Sequence, residues 1–408
     1  MAQTTARAIR PLRRGLITLI AIAVAALAIV VTAQLGTLTP GGAVAATSSP
    51  AASGPGASNE PAMTVAPPTA TPAPPTPPPP TPIPLVPAPL TGRLVTVDVA
   101  ELHPIAVMVD DHADARPQAG FNAASVVWQA PAEGGVPRYM LVFQDRIPEA
   151  VGPIRSARQY YVEWASELDA MYVHHGGSPQ ALETLARYGN GKWVYNADGF
   201  RWEGRFVFRA HDRFEPHNVM TDGEHLRKLA KRIKAADGPI KAAWSFGPEA
   251  PREERPTGGT IKVVYPYESI TYKYDPLGNR YLRYINGSTS PQVDVADDQV
   301  IAPTNVVILR MFFAALNDGH SRLEAHNVGK GEAWIASNGV TVKGTWRKAS
   351  RTAPTRLFGP DGKEIMLTVG QTFVQVLALT YDFQVKDGKV AGTAAPTGLP
   401  GASASVAP

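Results

Sequence analysis

The apolar positions of this chain change period along its length. Gly15–Gly36 reads GLITLIAIAVAALAIVVTAQLG without a charge, about as long as the roughly 20 residues a bilayer-spanning helix needs. From Pro104 onward short apolar runs take over. IAVMVD after Pro104 and VVWQA after Ser125 read as buried strands, and in Arg138-YMLVFQ the residues Tyr139, Leu141 and Phe143 share one face. Helical spacing is interleaved with them. Ser156 to Glu167 predicts a helix and Ala170-MYVHH a short buried strand. Ser178-Pro179-QALETLARYG predicts a helix with a capping serine, a proline at its first position and a glycine at its end. Thr221-DGE opens another helix that runs through LRKLAKRIKAAD to Gly238. This alternation over residues 93–240 predicts an α/β layered N-terminal domain.

Over residues 255–385 the period shortens to two. Thr260-IKVVYP, Ile270-TYKYD, Arg280-YLRYING, Asn305-VVILRMF and Thr372-FVQVLAL are separated by turn residues. Asn338-Gly339 between EAWIAS and VTVKG is a hairpin signal, because that pair accepts the positive φ angles of a two-residue turn. The expectation is a smaller, mainly antiparallel β domain. Gly238-Pro239 and Pro248 through Gly259 interrupt the pattern, placing a boundary near 240–258, with the β-rich part folding alone.

Composition separates this body from its flanks. Residues 1–34 hold four arginines (Arg7, Arg10, Arg13, Arg14) and no acid, which places residues 1–36 as a cytoplasmic arm and a transmembrane or signal-anchor helix. Ala43-Val44-Ala45 offers a small-residue cleavage site, the secretory alternative. On either reading the body lies outside the cytoplasm, held to the membrane by the N-terminal helix if that is retained. Residues 37–92 predict a disordered Pro-rich linker, with 14 prolines in 61–90. Proline removes amide donors and fixes φ, so an extended polyproline spacer is expected. The small, uncharged residues 390–408 predict a disordered tail. The body itself, 93–389, holds 35 basic and 34 acidic side chains. That balance excludes a basic nucleic-acid-binding face. The absence of cysteine excludes disulfides, thiolate metal sites, cysteine nucleophiles and lipid attachment through cysteine.

Chemistry-bearing residues gather in the loops of the first part, where α/β domains place ligands. They are Asp110-Asp111-His112-Ala113-Asp114-Ala115-Arg116, Glu133-Gly134-Gly135 before Arg138, Gly152-Pro153-Ile154-Arg155-Ser156-Ala157-Arg158, His174-His175-Gly176-Gly177-Ser178, and Pro216-His217-Asn218 after Arg209. Arg116, Arg138, Arg155, Arg158 and Arg209 could converge on a phosphate or carboxylate, aided by helix starts at Ser156 and Ser178. Alternatively, each arginine pairs with an acid such as Asp110, Asp111, Asp114 or Glu133 in a structural network. Zinc held by His112, His174, His175, His217 and Asp110 is a further reading, although no HExxH spacing supports it and adjacent His174 and His175 point to opposite strand faces. A serine nucleophile at Ser156 or Ser178 lacks a G-x-S-x-G elbow.

These motifs resemble the YerB-type lipoprotein family of bacterial envelope proteins. The resemblance rests on IAVMVD through Asp114-ARPQ-Ala119-Gly120, EGG with Arg138, GPIRSAR, His174…GGSP and Arg209…Pro216-His217-Asn218. Further along it rests on Tyr281-x-Arg283, Ala302-x-x-Asn305-Val306, Gly329-x-Gly331 and Trp346. It implies an N-terminal domain followed by a smaller C-terminal one, an envelope location, and no established activity. Asp111 stands where that family usually has Asn. The set implies an anionic envelope lipid or glycan as ligand, held by Arg116, Arg138, Arg155, Ser156, Arg158, His174, Gly176, Gly177, Arg209, His217 and Asn218. The order of Asp110…Arg116, Pro153-Ile154-Arg155 and His174…Gly176-Gly177 is also similar to LytR-CpsA-Psr glycopolymer transferases. That similarity implies Asp110 holding Mg²⁺ and Arg116, Arg155 and Arg158 gripping a pyrophosphate, with Ser156 in place of the acid expected after Arg155. A purely structural envelope module is the remaining reading.

Overall fold

The computed structural model describes residues 83–390. The expected anchor (1–36), most of the linker and residues 391–408 of the tail lie outside the described residues. Among the described residues no helix is long and apolar enough to cross a membrane. The fold starts earlier than the proline content suggests. β1 (Leu85–Pro87) and β2 (Leu94–Thr96) form an antiparallel hairpin, and Ala88, Leu90 and Thr91 are buried. Prolines are tolerated because this pair belongs to no larger sheet and Pro87 ends its strand. Residues 83–92 are therefore ordered rather than linker. At the other end Val390 bridges to Pro256.

The apolar runs become a mixed sheet of ten strands. From the first half come β3 (Ile105–Asp110), β4 (Val126–Pro131), β5 (Pro137–Phe143), β6 (Met171–His174) and β7 (Tyr195–Asp198). Three strands of the second half, β8 (Gly259–Tyr265), β9 (Glu268–Asp275) and β10 (Arg280–Ile285), leave for a separate sheet. The remainder, β11 (Asn305–Met311), β12 (Gly329–Ser337), β13 (Val340–Lys348), β14 (Arg356–Phe358) and β15 (Thr372–Ala378), completes the large one. Its order is β14-β13-β12-β11-β15-β4-β5-β3-β6-β7, while β10-β9-β8-β16 (β16, Phe383–Asp387) forms the second sheet. The hairpin at Asn338-Gly339 forms as the sequence predicts, with Ser337 opposite Val340.

Two expectations change here. The β-rich half is not purely antiparallel, because β15 runs parallel to both of its neighbours, β11 and β4. Nor is the division near 240–258 a gap between bodies. The described residues all fall in one compact unit, and β15 pairs with β4 through Thr372↔Val126 to Gln375↔Gln129. Alone, the second half would expose one long edge of β15 and the first half one of β4, an arrangement prone to self-association. The two-part layout seen in the sequence pattern is thus built on one continuous sheet.

Both faces of that sheet are covered, which is why β3, β4 and β5 read as unbroken apolar runs. Val107, Val109, Tyr139 and Leu141 pack with Ile261, Val263, Tyr265 and Tyr272 of the second sheet. Ala106, Met108, Met140 and Val142 face Tyr160, Tyr161 and Trp164 of helix α1 (Gln159–Ala165) and Leu185 of α2 (Pro179–Tyr188). The α2 start is as predicted, with Ser178 Oγ accepting from the Ala181 amide at 3.4 Å. α1 begins three residues later than predicted. Residues up to Ala157 stay extended, because Ile154 bridges to Val109 and Ala157 to Gly177. Ser156 therefore opens no helix and supplies no free helix amides to a ligand. Helix α3 (Gly223–Arg232) is capped by Asp222, which accepts from the His225 amide at 2.9 Å, and stops short of Gly238.

Candidate functional site

The site is organised by the end of β3, where the chain turns from apolar to acidic. Asp110 lies opposite Arg138 of β5. The extended segment 152–158 docks beside it: the Asp110 amide donates to Pro153 O at 2.9 Å and the Arg155 amide to Met108 O at 2.9 Å. This places Arg155 Nε 3.1 Å from Asp110 Oδ2 as an ion pair. His217 Nδ1 lies 2.7 Å from the same oxygen, while the His112 amide donates to Oδ1 at 3.2 Å. Asp110 is almost fully buried, so these partners replace the water its charge has lost.

Next to it, two arginines share one carboxylate. Arg138 pairs with Glu133 Oε2 at 2.9 Å and donates to Ser156 O at 2.8 Å, and Arg158 pairs with Glu133 Oε1. Both guanidinium groups are buried, whereas Glu133 is partly exposed. Glu133 sits on a short turn with Gly134 at φ 59° and Gly135 at φ 86°. Burial lowers the proton affinity of Arg138, Arg155 and Arg158, with Asp110 opposing it for Arg138 and Arg155. All three stay charged, given arginine's ordinary pKa. Three cations here face two carboxylates, Asp110 and Glu133.

The remaining expected arginines go elsewhere. Arg116 pairs with Asp111 Oδ1 at 3.1 Å and with Glu268 of β9. Gln129 donates to Asp111 Oδ2 at 2.6 Å and to Glu268 Oε1 at 2.7 Å, and Arg283 of β10 donates to the Tyr139 hydroxyl at 2.7 Å. This is a buried polar cluster between the two sheets. Sequence reasoning assigned no role to its members Glu268, Gln129, Tyr139 and Arg283. The usable signal was Arg283 on the same strand face as Tyr281, a charge at an inward position. Arg209 pairs with Glu203 and Glu215, both at 2.5 Å, and donates to Asn218 Oδ1 at 3.0 Å. Five arginines converging on one anion is therefore not what forms: Arg138, Arg155 and Arg158 come together, and Arg116 and Arg209 do not.

The histidines also separate. His174 is fully buried with both ring nitrogens engaged, by Gly176 O at 2.7 Å and Asn196 Oδ1 at 2.8 Å. His175 pairs with Glu203 at 3.1 Å. Neither reaches His112 and His217, whose rings stack at 4.9 Å. Gly176, at φ 68°, donates its amide to Asp198 Oδ1 at 3.3 Å, and Gly177 pairs with Ala157. Both serve to turn the chain after β6. Asp110, expected to hold a metal directly, has one carboxylate oxygen occupied by Arg155 and His217 and the other by the His112 amide, which leaves it poorly placed as a direct ligand.

Comparison with known proteins agrees with this architecture. Residues 90–236 match the protein of unknown function (DUF3048) N-terminal domain, and 261–374 match its C-terminal domain. YerB of Bacillus subtilis (strain 168), named as a lipoprotein, is 29% identical over 297 residues, covering 70% of this chain and 85% of that protein. The crystal structure of YerB from Bacillus subtilis superposes with a TM-score of 0.64 at 26% identity, covering 73% of this chain and 99% of that one. With both domains matched in order along the one continuous sheet, the chain belongs to the YerB-type family.

Proposed function

We propose that this protein is an extracytoplasmic envelope module, tethered through residues 1–36, that binds an anionic phosphate- or carboxylate-bearing group at Arg138, Arg155 and Arg158. The observation carrying this reading is the charge imbalance, three arginines to two carboxylates in a largely buried setting. Charges withdrawn from water are costly unless paired, and a ligand anion would complete the pairing. Glu133 acts as the stand-in: its carboxylate fills the fork of Arg138 and Arg158, and its glycine turn lets it move aside. The basic arm and apolar run, and the lipoprotein name of the relative, support the location.

Thermal melting of the purified protein with inorganic pyrophosphate tests the reading. Pyrophosphate should raise the melting temperature, Glu133→Gln should tighten binding by about tenfold, equivalent to ~1.4 kcal/mol, and Arg158→Gln should abolish the shift. If the arginines are structural partners alone, pyrophosphate leaves the unaltered protein's melting unchanged.

A further inference from the structure

We infer that His112, Asp114 and His217 form a binding site for a divalent transition metal ion of the zinc class. The three residues offer ligand atoms that all lie within 4.8 Å of one another. His112 Nδ1 stands 3.5 Å from Asp114 Oδ2, close to the ~3.3 Å that separates two ligands of a tetrahedral ion held at about 2.0–2.1 Å. That nitrogen holds its lone pair rather than a proton, since it accepts the Asp114 amide at 3.3 Å, a long bond that an ion would displace.

The stronger argument is what stands behind the ligands. Metal-bound histidine usually gives its other ring nitrogen to a carboxylate, which fixes the ring and raises its basicity. His217 does this: Nδ1 is 2.7 Å from the buried Asp110 Oδ2, leaving Nε2 for the ion. The other Asp110 oxygen accepts the His112 backbone amide at 3.2 Å, so one carboxylate orients the His217 ring and fixes the His112 backbone. Arg213 secures the loop by donating to Ala115 O and Pro117 O. Two imidazoles and a carboxylate favour zinc over magnesium or calcium, which prefer all-oxygen sets. Three protein ligands leave a coordination position open to water or an outside group, as in catalytic sites. Asp110 is a positioning residue here.

Calorimetric titration of the tag-free, chelator-stripped full chain with Zn²⁺, alongside Co²⁺ absorption, tests this. One ion per chain is expected, with the visible bands of tetrahedral cobalt. Asp114→Asn, at an exposed position that leaves folding intact, should weaken binding at least tenfold, and His217→Gln should abolish it. Asp110→Asn should weaken it about 10–100-fold. His320→Gln, remote in sequence, should change nothing. Absence of binding at millimolar zinc, or binding that Asp114→Asn and His217→Gln leave intact, overturns the inference. The pyrophosphate response of Asp114→Asn reports separately on the arginine site.

Discussion

Asp111 shows how one buried carboxyl couples to its surroundings. Burial, and then the neighbouring Glu268 carboxylate, hold it well above the ordinary carboxylate range against Arg116 and Arg283. The folded chain thus binds this proton more tightly than the unfolded chain does. Its favourable contribution is complete below the ordinary carboxylate pKa and is lost as pH rises through the raised folded value. Asp111→Asn mimics the protonated form at every pH. It should raise stability by on the order of 1 kcal/mol near pH 8, roughly 2–4 °C in melting temperature, and by little near pH 5. Melting curves at the two pH values decide it, and a lower melting temperature at the higher pH would mean Asp111 is held ionised by the arginines. Lys348 offers the opposite case. It is buried, donates to Glu167 Oε1 at 2.6 Å, and Glu167 also accepts Thr355 Oγ1 at 2.7 Å. Lys348→Met leaves that carboxylate buried without its cation, at about 3–5 kcal/mol. Adding Glu167→Leu should recover most of the loss, measurable by denaturant unfolding.

At the scale of elements, the clearest local rule held where tertiary contacts agreed with it. Asn338 (φ 52°) and Gly339 (φ 79°) take up the left-handed conformations their sequence favours, and the Gly339 amide donates to the Tyr281 hydroxyl at 3.0 Å. A Cβ at Gly339 would run into the Tyr274 ring. Gly339→Ala is therefore expected to cost about 1–3 kcal/mol, more than backbone conformation alone would give. A change within a few tenths of a kcal/mol in urea unfolding would show that the ring yields freely. The local rule failed only at the start of the helix predicted over 156–167, which begins at Gln159. Ile154 just before it bridges to β3 and Ala157 bridges to Gly177, and extended pairing there outweighs a weak helical preference.

For the whole molecule, the decisive feature is the parallel pairing of β15 with β4. Limited proteolysis is still expected to cut first within 240–258, where exposed turn residues predominate. The two pieces should then co-elute on size exclusion, because the sheet, the buried Lys348–Glu167 pair and the Asp111–Glu268 cluster hold them together. Pieces that elute separately and remain folded would restore the independence suggested by the sequence pattern.

By itself the sequence determined much. The apolar periods located β3, β5, α2 and the Asn-Gly hairpin, the charge distribution set the body apart from its flanks, and the motif set identified the family. Those features depend on neighbours a few residues apart, or on residue types without regard to partners. Partner choice was decided by tertiary structure alone. Arg116 pairs with Glu268, 152 residues away, rather than with Arg155 at a common anion. His217 is brought to Asp110 from 107 residues away. Likewise β15, late in the chain, lies beside β4 rather than completing a separate sheet. Arginine and histidine side chains are long and accept many partners, so their pairing is set by which strands the fold places side by side, and no local pattern encodes that.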